Sequence, residues 1–423
     1  MPYPSLPLFF LFFLTLSSTS SASSSPPKSS LAAGDSLVAA GNSFSTWLLS
    51  PSGDFSFGFH PLPTTTTTTP FFSLSIWYTK IPQKTIIWYA NNRQNPAPQG
   101  SKVTLLPNQG LVLTSPNGTV LWTANDVVGT VSFAKLNDTG NLVLQDANFR
   151  GLWDTFGHPK DTLLPTQVLK KGGRVSSGRF EMVLEGDGNL VARSVNLPSG
   201  YANENYFESG TSGSGRELVF DGTGELYIVK GNNEKSYLFS SSSSSPNGSS
   251  GSTMEFYLRA TLNFDGVFSL YKYPKGYLPE NICTSSLVSA GSGVCGYNSI
   301  CNLKEDGSGR PFCECPKGYS LIDPMEDEYG SCKPNFVLGC TEKIEDYEFE
   351  VLINTDWPLS DYVLQRPFTE EECMRSCMED CLCSVAIFRL GDSCWKKKIP
   401  LSNGRVDVNL DGSKAFIKVK KGV

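Results

Sequence analysis

Residues 185–193 read Glu185-Gly-Asp-Gly-Asn-Leu-Val-Ala-Arg193, and the same Gly-Asn-Leu-Val core occurs in Thr139-Gly-Asn-Leu-Val-Leu. Weaker copies of this pattern are Gln109-Gly-Leu-Val-Leu and Thr223-Gly-Glu-Leu-Tyr-Ile. Each copy places a turn glycine before an apolar run, which is typical of a β strand that follows a tight turn. A repeated turn-plus-strand unit predicts sheets assembled by internal symmetry, each burying its apolar side against its neighbours.

The region from Ala33 to about Lys272 is predicted to consist of strands. Turn residues precede apolar or alternating runs throughout it, and no convincing amphipathic helix interrupts them. This length fits two tandem all-β domains, 31–149 and 150–272. The tracts Thr64–Thr69 and Ser240–Ser245 are predicted to be surface loops.

The composition excludes several classes of function. The 423 residues carry a formal net charge of -6 and contain no Lys/Arg block, so the clustered cations that bind nucleic acid are missing. The two histidines, His60 and His158, argue against most histidine-dependent catalysis. The 39 glycines and 27 prolines favour many short strands joined by turns.

The two ends of the chain indicate an exported protein. All 12 cysteines lie between Cys283 and Cys394, a density typical of small domains stabilised by disulfides in an oxidising compartment. A short apolar stretch at 6–16, followed by small residues, predicts a signal peptide over 1–22. No later stretch has the ~18 consecutive apolar residues of a transmembrane helix. Three sequons mark expected glycosylation sites: Asn117, Asn137 and Asn247.

The cysteines divide into two modules. The first module, residues 279–334, contains Cys283, Cys295, Cys301, Cys313, Cys315 and Cys332. Six cysteines allow fifteen connectivities, and spacing alone does not choose among them. The second module runs from Cys340 to residue 423. There Thr369 and Glu372 form a capping box that predicts the start of a helix. This helix would present three cysteines on one face: Cys373, Cys377 and Cys381.

The strand around Asn189 carries the strongest candidate for a binding site. In an extended strand, alternate side chains point to opposite faces. The outward face would carry Glu185, Asp187, Asn189, Val191 and Arg193. The core face would carry Leu184, Leu190 and Ala192. Carboxylate and amide groups can pair with vicinal sugar hydroxyls while a small apolar side chain touches the ring carbons. The favoured alternative is that Gly-Asn-Leu-Val is a turn and core strand kept for packing.

The first copy of the repeat is expected not to bind a ligand. The same alternation selects Asn137, Thr139, Asn141, Val143 and Gln145 there. Asn137 is also a sequon asparagine, and a glycan on it would lie across the outward face. Packing is favoured more strongly for this copy than for the second.

Other motifs have simpler structural interpretations. Gly291-Ser-Gly-Val-Cys-Gly296 matches the G-x-G-x-x-G pattern but lacks a preceding strand and a following helix, so turn glycines are expected. His158 is expected to be a structural loop residue, since no nucleophile pattern accompanies it. The basic segments Lys396–Lys398 and Lys414–Lys421 are predicted to form a solvated strand face.

The repeat resembles monocot mannose-binding (bulb-type, or G-type) lectins. Their motif is Gln-x-Asp-x-Asn-x-Val-x-Tyr, and Asp187, Asn189 and Val191 match it. Glu185 stands where the family has Gln, and Arg193 stands where it has Tyr. The resemblance implies a β-prism fold and a mannose site formed by these five residues.

The first cysteine module resembles an EGF-like domain through its cysteine order and its Cys313-Glu-Cys315 pair. That resemblance implies the disulfides Cys283–Cys301, Cys295–Cys313 and Cys315–Cys332. The second module resembles a PAN/apple domain, which implies Cys373–Cys394 and Cys377–Cys383 and leaves Cys340–Cys381. Leu278-Pro-Glu-Asn-Ile lacks the residues that calcium-binding EGF modules carry before the first cysteine. No calcium, other metal or cofactor is expected.

The expected fold class is mainly β, with tandem bulb-type lectin domains followed by an EGF-like module and an α+β PAN module. This order resembles the extracellular half of plant G-type lectin S-receptor-like serine/threonine protein kinases. Complete members continue into a transmembrane helix and a kinase domain, whereas this sequence ends at Val423. It contains no Val-Ala-x-Lys, His-Arg-Asp or Asp-Phe-Gly motif, so it is not expected to be an enzyme.

Two functional classes remain. The first is a secreted or extracellular module that binds mannose-type glycans through Asp187, Asn189 and Val191. The second is a protein- or peptide-binding ectodomain, in which the lectin fold is a scaffold and the PAN and EGF-like region forms a homo- or heterodimer.

Overall fold

The computed structural model describes residues 27–422 apart from short internal segments. The residues outside the description are 1–26, 42, 64–69, 93, 197–199, 240–252, 276–281, 287–293, 305, 307–309, 325–327, 341–342, 359, 411 and 423. The side chains of residues 196, 282–286 and 408 are also not described. The predicted signal peptide, both low-complexity tracts and the Asn247 sequon therefore lie outside the described residues.

Strands dominate the described chain, which confirms the mainly-β prediction. The first strands are β1 (Leu31–Ala32), β2 (Ser36–Val38), β3 (Ser45–Leu49), β4 (Phe55–Leu62), β5 (Phe71–Tyr78), β6 (Ile86–Tyr89), β7 (Ala97–Pro98), β8 (Lys102–Leu106), β9 (Gly110–Thr114), β10 (Val120–Thr123), β11 (Phe133–Leu136), β12 (Leu142–Gln145) and β13 (Gly151–Asp154). As described, they form three antiparallel sheets with the orders β3-β4-β5-β6, β2-β8-β9-β10 and β1-β11-β12-β13, and β7 pairs with β5. We call this set the first unit.

A second set of strands repeats this connectivity. It contains β14 (Thr162–Leu163), β15 (Val168–Lys170), β16 (Arg174–Ser177), β17 (Phe180–Leu184), β18 (Leu190–Asn196), β19 (Tyr201–Glu208), β20 (Gly215–Phe220), β21 (Leu226–Lys230), β22 (Lys235–Tyr237), β23 (Phe256–Leu262), β24 (Phe268–Pro274) and β25 (Ile282–Ser286). Its described sheets have the orders β16-β17-β18-β19, β15-β20-β21-β22 and β14-β23-β24-β25. In the described part of each unit, one sheet is built on four consecutive strands, and each of the other two sheets combines one earlier strand with three consecutive later strands. This shared connectivity is the internal symmetry that the repeat predicts. This second unit includes β25, which lies beyond residue 272.

The two Gly-Asn-Leu-Val copies occupy different places in this symmetry. The first copy joins β11 to β12, in the sheet that closes the first unit. The second copy joins β17 to β18, in the sheet that opens the second unit. The two copies are therefore similar hairpins in non-equivalent sheets.

The apolar side of each sheet builds the core of its unit. In the first unit Trp88, Trp122 and Trp153 meet, one from each sheet, with ring centroids 5.7, 6.1 and 6.2 Å apart in edge-to-face contacts. Such aromatic pairs stabilise beyond the area that they bury. In the second unit Leu184, Leu190 and Ala192 are at most 1% exposed, which confirms the predicted core face.

Direct contacts join the two units. Asp54 of the first unit accepts a hydrogen bond from Tyr257 Oη at 2.9 Å and pairs with Lys275 Nζ at 3.1 Å. Tyr78 Oη donates to the Leu258 carbonyl oxygen at 2.9 Å. These bonds are largely shielded from water, and together they fix one unit against the other.

The cysteine-rich part of the chain is one connected structure. Its elements are β26 (Ile300–Leu303), β27 (Pro311–Glu314), β28 (Tyr319–Leu321), β29 (Cys332–Pro334), β30 (Tyr347–Ile353), β31 (Thr355–Asp356), β32 (Asp361–Gln365), α1 (Glu370–Glu379), β33 (Val385–Arg389), β34 (Ser393–Lys397), β35 (Arg405–Val406) and β36 (Lys414–Lys420), with 3-10 turns at Ile344–Asp346 and Val408–Leu410. One described sheet, β27-β26-β35-β31, takes strands from both predicted modules. Fully buried Trp357 also donates from Nε1 to the Ser299 carbonyl oxygen at 2.9 Å.

The predicted helix is present, but it is shorter than expected. Thr369 caps α1, because Glu372 N donates to Thr369 Oγ1 at 3.2 Å and Thr369 N donates to Glu372 Oε2 at 2.9 Å. This confirms the capping box. Cys373 and Cys377 are buried on the helix, whereas Cys381 lies in the turn after Glu379. The prediction that all three cysteines share one helical face is therefore wrong for Cys381.

The prediction of a solvated basic strand face is wrong for three of its lysines, whereas Lys398 and Lys421 are exposed. Lys396, Lys397 and Lys418 are 7%, 1% and 4% exposed. Lys397 Nζ pairs with Asp356 at 3.0 Å and donates to the Trp357 carbonyl oxygen at 2.9 Å. Lys418 Nζ donates to carbonyl oxygens at the end of α1, where cations satisfy unpaired helix carbonyls. A buried ammonium is tolerated only with such partners.

Candidate functional site

A tight turn precedes each Gly-Asn-Leu-Val strand. In the second copy Glu185 N donates to the Asn189 carbonyl oxygen at 2.8 Å, and Gly188 N donates to the Glu185 carbonyl oxygen at 2.9 Å. Gly188 has a φ of +91°, and a Cβ there would lie 2.1 Å from the backbone oxygen of Gly215. Only glycine fits this position. The prediction that residues 185–189 are extended is therefore wrong, and β18 begins at Leu190.

The asparagine of each copy stabilises the loop that follows the neighbouring strand. Asn189 Oδ1 accepts a hydrogen bond from Ser209 Oγ at 3.0 Å. Asn141 Oδ1 accepts one from Thr155 Oγ1, also at 3.0 Å. In both copies the same oxygen accepts a second hydrogen bond from a backbone N–H of that loop. The interpretation that Gly-Asn-Leu-Val is kept for packing therefore explains the hydrogen bonds of Asn141 Oδ1 and Asn189 Oδ1.

Asp187 lies at the tip of the second turn. Its carboxylate accepts hydrogen bonds from Ser212 Oγ at 2.5 Å and from Asn189 N at 2.9 Å. The hydrogen bond from the Ser212 hydroxyl, followed by that from the Asn189 N–H, holds the pKa of Asp187 below its ordinary value. The carboxylate therefore stays charged and caps its own turn.

The outward side chains of β17, β18 and β19 form what we call the second-copy face. They lie in two cross-strand rows, Val183–Val191–Glu208 and Glu181–Arg193–Asn205. Arg193 donates from Nε to Glu181 at 2.8 Å and from Nη1 to Glu185 at 3.1 Å. Val191 has no exposed surface. Arg193 thus pairs with two carboxylates, Glu208 contacts the amides of Asn189 and Asn205, and the central apolar side chain of the face is buried.

The five residues predicted from the second copy thus do not form one open pocket. Glu185 and Arg193, which replace the Gln and Tyr of the lectin motif, form an ion pair. Asn189 and Val191 are buried, and Asp187 is exposed at the turn. Asn189 Nδ2 lies 3.4 Å from a carboxylate oxygen of Glu208.

The outward side chains of β11, β12 and β13 form the first-copy face, which has a different chemistry. Its two cross-strand rows are Phe133–Gln145–Gly151 and Lys135–Val143–Asp154. Val143, at the centre, is half-buried, and Lys135 and Gly151 are exposed. A Cβ on Gly151 would lie 3.6 Å from Val143 Cγ1, so the glycine leaves this side of Val143 uncovered.

Polar groups on the first-copy face remain available. Gln145 Nε2 donates to the Phe149 carbonyl oxygen at 3.0 Å, and Asp154 Oδ1 accepts from Gly157 N at 2.8 Å. Lys135 Nζ, Gln145 Oε1, Asp154 Oδ2 and Asn141 Nδ2 bond to no described residue. Lys135 and Asp154 lie directly opposite Val143 on the two neighbouring strands, and Asn141 and Gln145 are the adjacent outward positions of its own hairpin. An amide, a carboxylate and an ammonium around a small apolar surface can hydrogen-bond vicinal hydroxyls.

Sequence reasoning missed Lys135 and Asp154. Neither residue lies in the Gly-Asn-Leu-Val segment, because each comes from a strand that pairs with β12. The turn at residues 137–141 could have identified Lys135 from the sequence, since a tight turn fixes the hairpin register and places Lys135 opposite Val143. No comparable signal fixes Asp154, since the β12–β13 register shifts between Leu144 and Gln145.

Two predicted sequons fall on described residues. Asn117 is exposed in a turn, where its Oδ1 accepts a hydrogen bond from Thr119 N at 3.1 Å. Asn137 is half-buried, and its N–H donates to the Asn141 carbonyl oxygen at 2.9 Å. Glycosylation of both asparagines stays a prediction.

Among the described residues, five disulfides form, and each joins a pair that the resemblance implied or left. They are Cys295–Cys313, Cys315–Cys332, Cys340–Cys381, Cys373–Cys394 and Cys377–Cys383. The sixth expected pair is Cys283–Cys301. Cys301 is buried and is disulfide-bonded to no described side chain, while the side chain of Cys283 lies outside the description.

The remaining candidates are structural. His158 stacks on Trp153 with centroids 4.8 Å apart, and its Nδ1 donates to the Asp154 carbonyl oxygen at 2.9 Å.

Within the described ranges, no group of three or more His, Cys, Asp and Glu side chains is arranged to hold a metal ion. The helices of the described residues include none that is long and apolar enough to cross a membrane.

Comparison with known protein families finds a match over part of the chain. Residues 85–183 match the family model of the D-mannose binding lectin. This match contains the whole first-copy face and ends within β17.

Comparison along the whole chain finds longer relatives. A G-type lectin S-receptor-like serine/threonine-protein kinase of Oryza sativa subsp. indica, LECRK3, is 36% identical over 430 residues, 93% of this chain and 51% of that protein. The Arabidopsis thaliana protein RLK1, of the same description, is 36% identical over 438 residues, 93% of this chain and 50% of that protein. The chain thus spans about half the length of these relatives.

Solved structures of plant lectins are also similar to parts of the chain. A monomeric mannose-binding lectin of Gastrodia elata is 20% identical and covers 26% of this chain and 87% of its own, with a TM-score of 0.21. Colocasia esculenta agglutinin with mannose bound is 24% identical and covers 29% of this chain and 94% of its own, with a TM-score of 0.20.

The β-sheet fold and the family match define the class of one region: residues 85–183 form a D-mannose binding lectin region of this chain. More particularly, the chain is a relative of the plant G-type lectin S-receptor-like serine/threonine-protein kinases and corresponds to about half of their length. The described residues contain a single α helix, of ten residues, and form no kinase-like helical domain.

Proposed function

We propose that this chain is an extracellular recognition module that binds mannose-type carbohydrate on the first-copy face. The carrying observation is that Lys135 and Asp154 lie opposite half-buried Val143 in the sheet, and that they and Gln145 keep hydrogen-bonding groups that bond to no described residue. The family match to D-mannose binding lectins over residues 85–183 supports the ligand class. The disulfides of the cysteine-rich part support an oxidising, extracytoplasmic compartment.

The chemistry of the face suits a pyranose. Gln145 Oε1 and Asp154 Oδ2 accept hydrogen bonds from adjacent hydroxyls, and Lys135 Nζ and Asn141 Nδ2 donate to their oxygens. Val143 contacts the ring C–H groups. On the second-copy face, Arg193 pairs with one carboxylate oxygen of Glu181 and one of Glu185, and Val191 is fully buried, which favours the first-copy face as the binding surface.

Glycan binding by two variants tests the proposal. The exported chain, enzymatically deglycosylated so that Asn137 carries no glycan, is titrated calorimetrically with methyl α-mannoside and with the mannose-terminated N-glycan core pentasaccharide. Gln145→Ala removes a face group, and Asp187→Ala removes the exposed carboxylate of the second copy. We expect Gln145→Ala to weaken binding by about two- to tenfold, the effect of one lost hydrogen bond to the ligand, and Asp187→Ala to retain binding.

The opposite pattern would place the site on the second copy. Absence of binding by the unaltered chain would leave the alternative function, a protein- or peptide-binding ectodomain. Its dimerisation through the EGF-like and PAN region would then be measured by sedimentation.

A further inference from the structure

A pair of stacked phenylalanines continues the first-copy face beyond Gln145. The rings of Phe133 and Phe149 lie 5.5 Å apart between centroids, with 13° between their planes. Phe133 lies beside Gln145 in the sheet, and Phe149 lies in the turn that joins β12 to β13. Phe149 is 68% exposed.

The backbone holds Phe149 in an unusual conformation. Its φ is +62°, in the left-handed region that bulky residues rarely adopt. The turn is fixed by Asp146, whose Oδ1 accepts hydrogen bonds from Asn148 N and Arg150 N, both at 2.9 Å. Gln145 Nε2 binds the Phe149 carbonyl oxygen. An exposed aromatic ring held in a strained position is typical of functional sites.

We propose that Phe133 and Phe149 form a stacking subsite for a second sugar ring, a β-linked glucose-type pyranose next to the mannose-type ring bound at Val143. This inference rests on the proposed function. A β-linked glucose-type ring carries its hydroxyls equatorially, so its faces present axial C–H groups that pack on an aromatic ring. The chain is thereby a receptor for an oligosaccharide rather than for a single mannose.

The position of the stack favours a sugar over a protein partner. Successive outward residues of a strand are about 7 Å apart, so the row containing Phe133 and Gln145 lies about one sugar ring from Val143. The surrounding groups Lys135, Gln145 and Asp154 are polar. A stable protein interface needs about 800 Å² on each partner with an apolar centre, which is much more than two rings offer.

The experiment compares a one-ring ligand with a longer one. Calorimetry uses methyl α-mannoside and the N-glycan core pentasaccharide, whose branching mannose is joined directly to β-linked N-acetylglucosamine and so presents the two adjacent rings that the subsite requires. Phe149→Asn removes the ring and keeps a residue that tolerates positive φ, so the thermal midpoint should not fall. We expect pentasaccharide affinity to drop about three- to tenfold and methyl α-mannoside affinity to stay within about twofold.

Two further variants complete the design. Phe149→Tyr keeps the ring and should retain pentasaccharide affinity. Phe264→Asn is the matched control, because Phe264 is 69% exposed in a turn of the second unit. It should leave both affinities unchanged.

The outcomes separate the two proposals. If the unaltered chain binds the pentasaccharide and Phe149→Asn binds it equally well, the stacking subsite is wrong and the mannose-type site stands. An equal loss in Phe264→Asn would also overturn the subsite. If the unaltered chain binds neither ligand, the proposed function itself fails, and the subsite fails with it.

Discussion

The first-copy face and the second-copy face are the same hairpin with two different outward surfaces. Both begin with a glycine turn, and both use an asparagine oxygen to stabilise the adjacent loop. Along the strand, the next outward residue after the valine is Gln145 in the first copy and Arg193 in the second. Arg193 pairs with Glu181 and Glu185, whereas Gln145 Oε1 bonds to no residue in the part of the chain that the structure describes.

This difference separates the packing part of the motif from its binding part. Gly-Asn-Leu-Val specifies a turn, a loop anchor and a core strand in both copies. The outward positions decide whether the face closes on itself through ion pairs or stays open to a ligand. A match to the shared part of the motif is therefore weak evidence for binding.

The largest expected effect comes from breaking the ion pairs of the second-copy face. Arg193→Ala leaves Glu181, whose side chain is 11% exposed, with Arg174 as its remaining ionic partner among the described residues. Removing one member of a largely shielded pair leaves a charge uncompensated. Because Arg193 itself is 24% exposed, we expect a loss of about 2–3 kcal/mol in the free energy of unfolding. Urea unfolding of the full chain, followed by circular dichroism, measures it.

The matched variant on the first-copy face is Gln145→Ala. It removes one partly exposed hydrogen bond and should cost less than about 1 kcal/mol. Equal losses at Arg193 and Gln145 would show that the two faces do not differ in the way that their contacts indicate. Adding Glu181→Gln and Glu185→Gln to Arg193→Ala should recover part of the loss, since the unpaired charges are then removed.

A smaller effect is expected from closing the first-copy face. Phe133 and Gln145 occupy directly paired positions, as Glu181 and Arg193 do in the second copy. The double variant Phe133→Glu/Gln145→Arg should install the same ion pair and weaken glycan binding by about tenfold, while the free energy of unfolding changes by less than about 1 kcal/mol. Calorimetric titration with the pentasaccharide measures the binding.

The control places the same charge pair elsewhere. Val229 lies directly opposite Glu217 in the β20–β21 hairpin of the second unit, so Val229→Arg creates a Glu–Arg pair away from the first-copy face. This variant should bind glycan as the unaltered chain does. Retained binding by the Phe133→Glu/Gln145→Arg variant would mean that the ligand lies on another surface.

The sequence predicts the parts of this comparison that depend on local rules. Alternation identifies Leu190 and Ala192 as core residues, and the capping box locates the start of α1. Local rules fail where contacts with residues distant in the sequence determine whether a side chain is buried. Lys397 and Lys418 look like surface residues until Asp356 and the end of α1 are brought to them.

The candidate site divides in the same way. Alternation places Val143 and Gln145 on the outward face, because they follow the repeated glycine at fixed positions, but the residue pattern favours the second copy as the binding site and predicts that the first copy does not bind. The pattern does not show that Asp154 is opposite Val143, because an irregular register between β12 and β13 sets that contact. Extended alternation also fails at 185–189, where Gly188 closes a turn.

The smallest expected effect is a difference in how the two turns respond to acid. Asp146 supports the turn that carries Phe149, and hydrogen bonds from the Arg150 and Asn148 N–H groups lower its pKa below the ordinary value of 3.8. Because the folded-state pKa of Asp146 lies below its unfolded-state value, the stabilisation of the turn by the Asp146 carboxylate is fully present above pH 3.8. It is lost as the pH falls through the lower folded-state pKa. Carbon-13 NMR of the Asp146 carboxyl should give a midpoint below 3.8, with the Asn148 and Arg150 amide shifts changing together.

Asp187 also titrates below 3.8, but its hydrogen bonds come from Ser212 and the Asn189 N–H, so its transition should move the Asn189 amide and leave the Phe149 turn unchanged. Because the Asp146 carboxyl is fully ionised between about pH 4.5 and 7, its titration should not change the pentasaccharide affinity in that range. An Asp146 midpoint at or above 3.8 would contradict the hydrogen bonds that hold this turn. An Asp146→Asn variant, which lacks the carboxyl, identifies the signal.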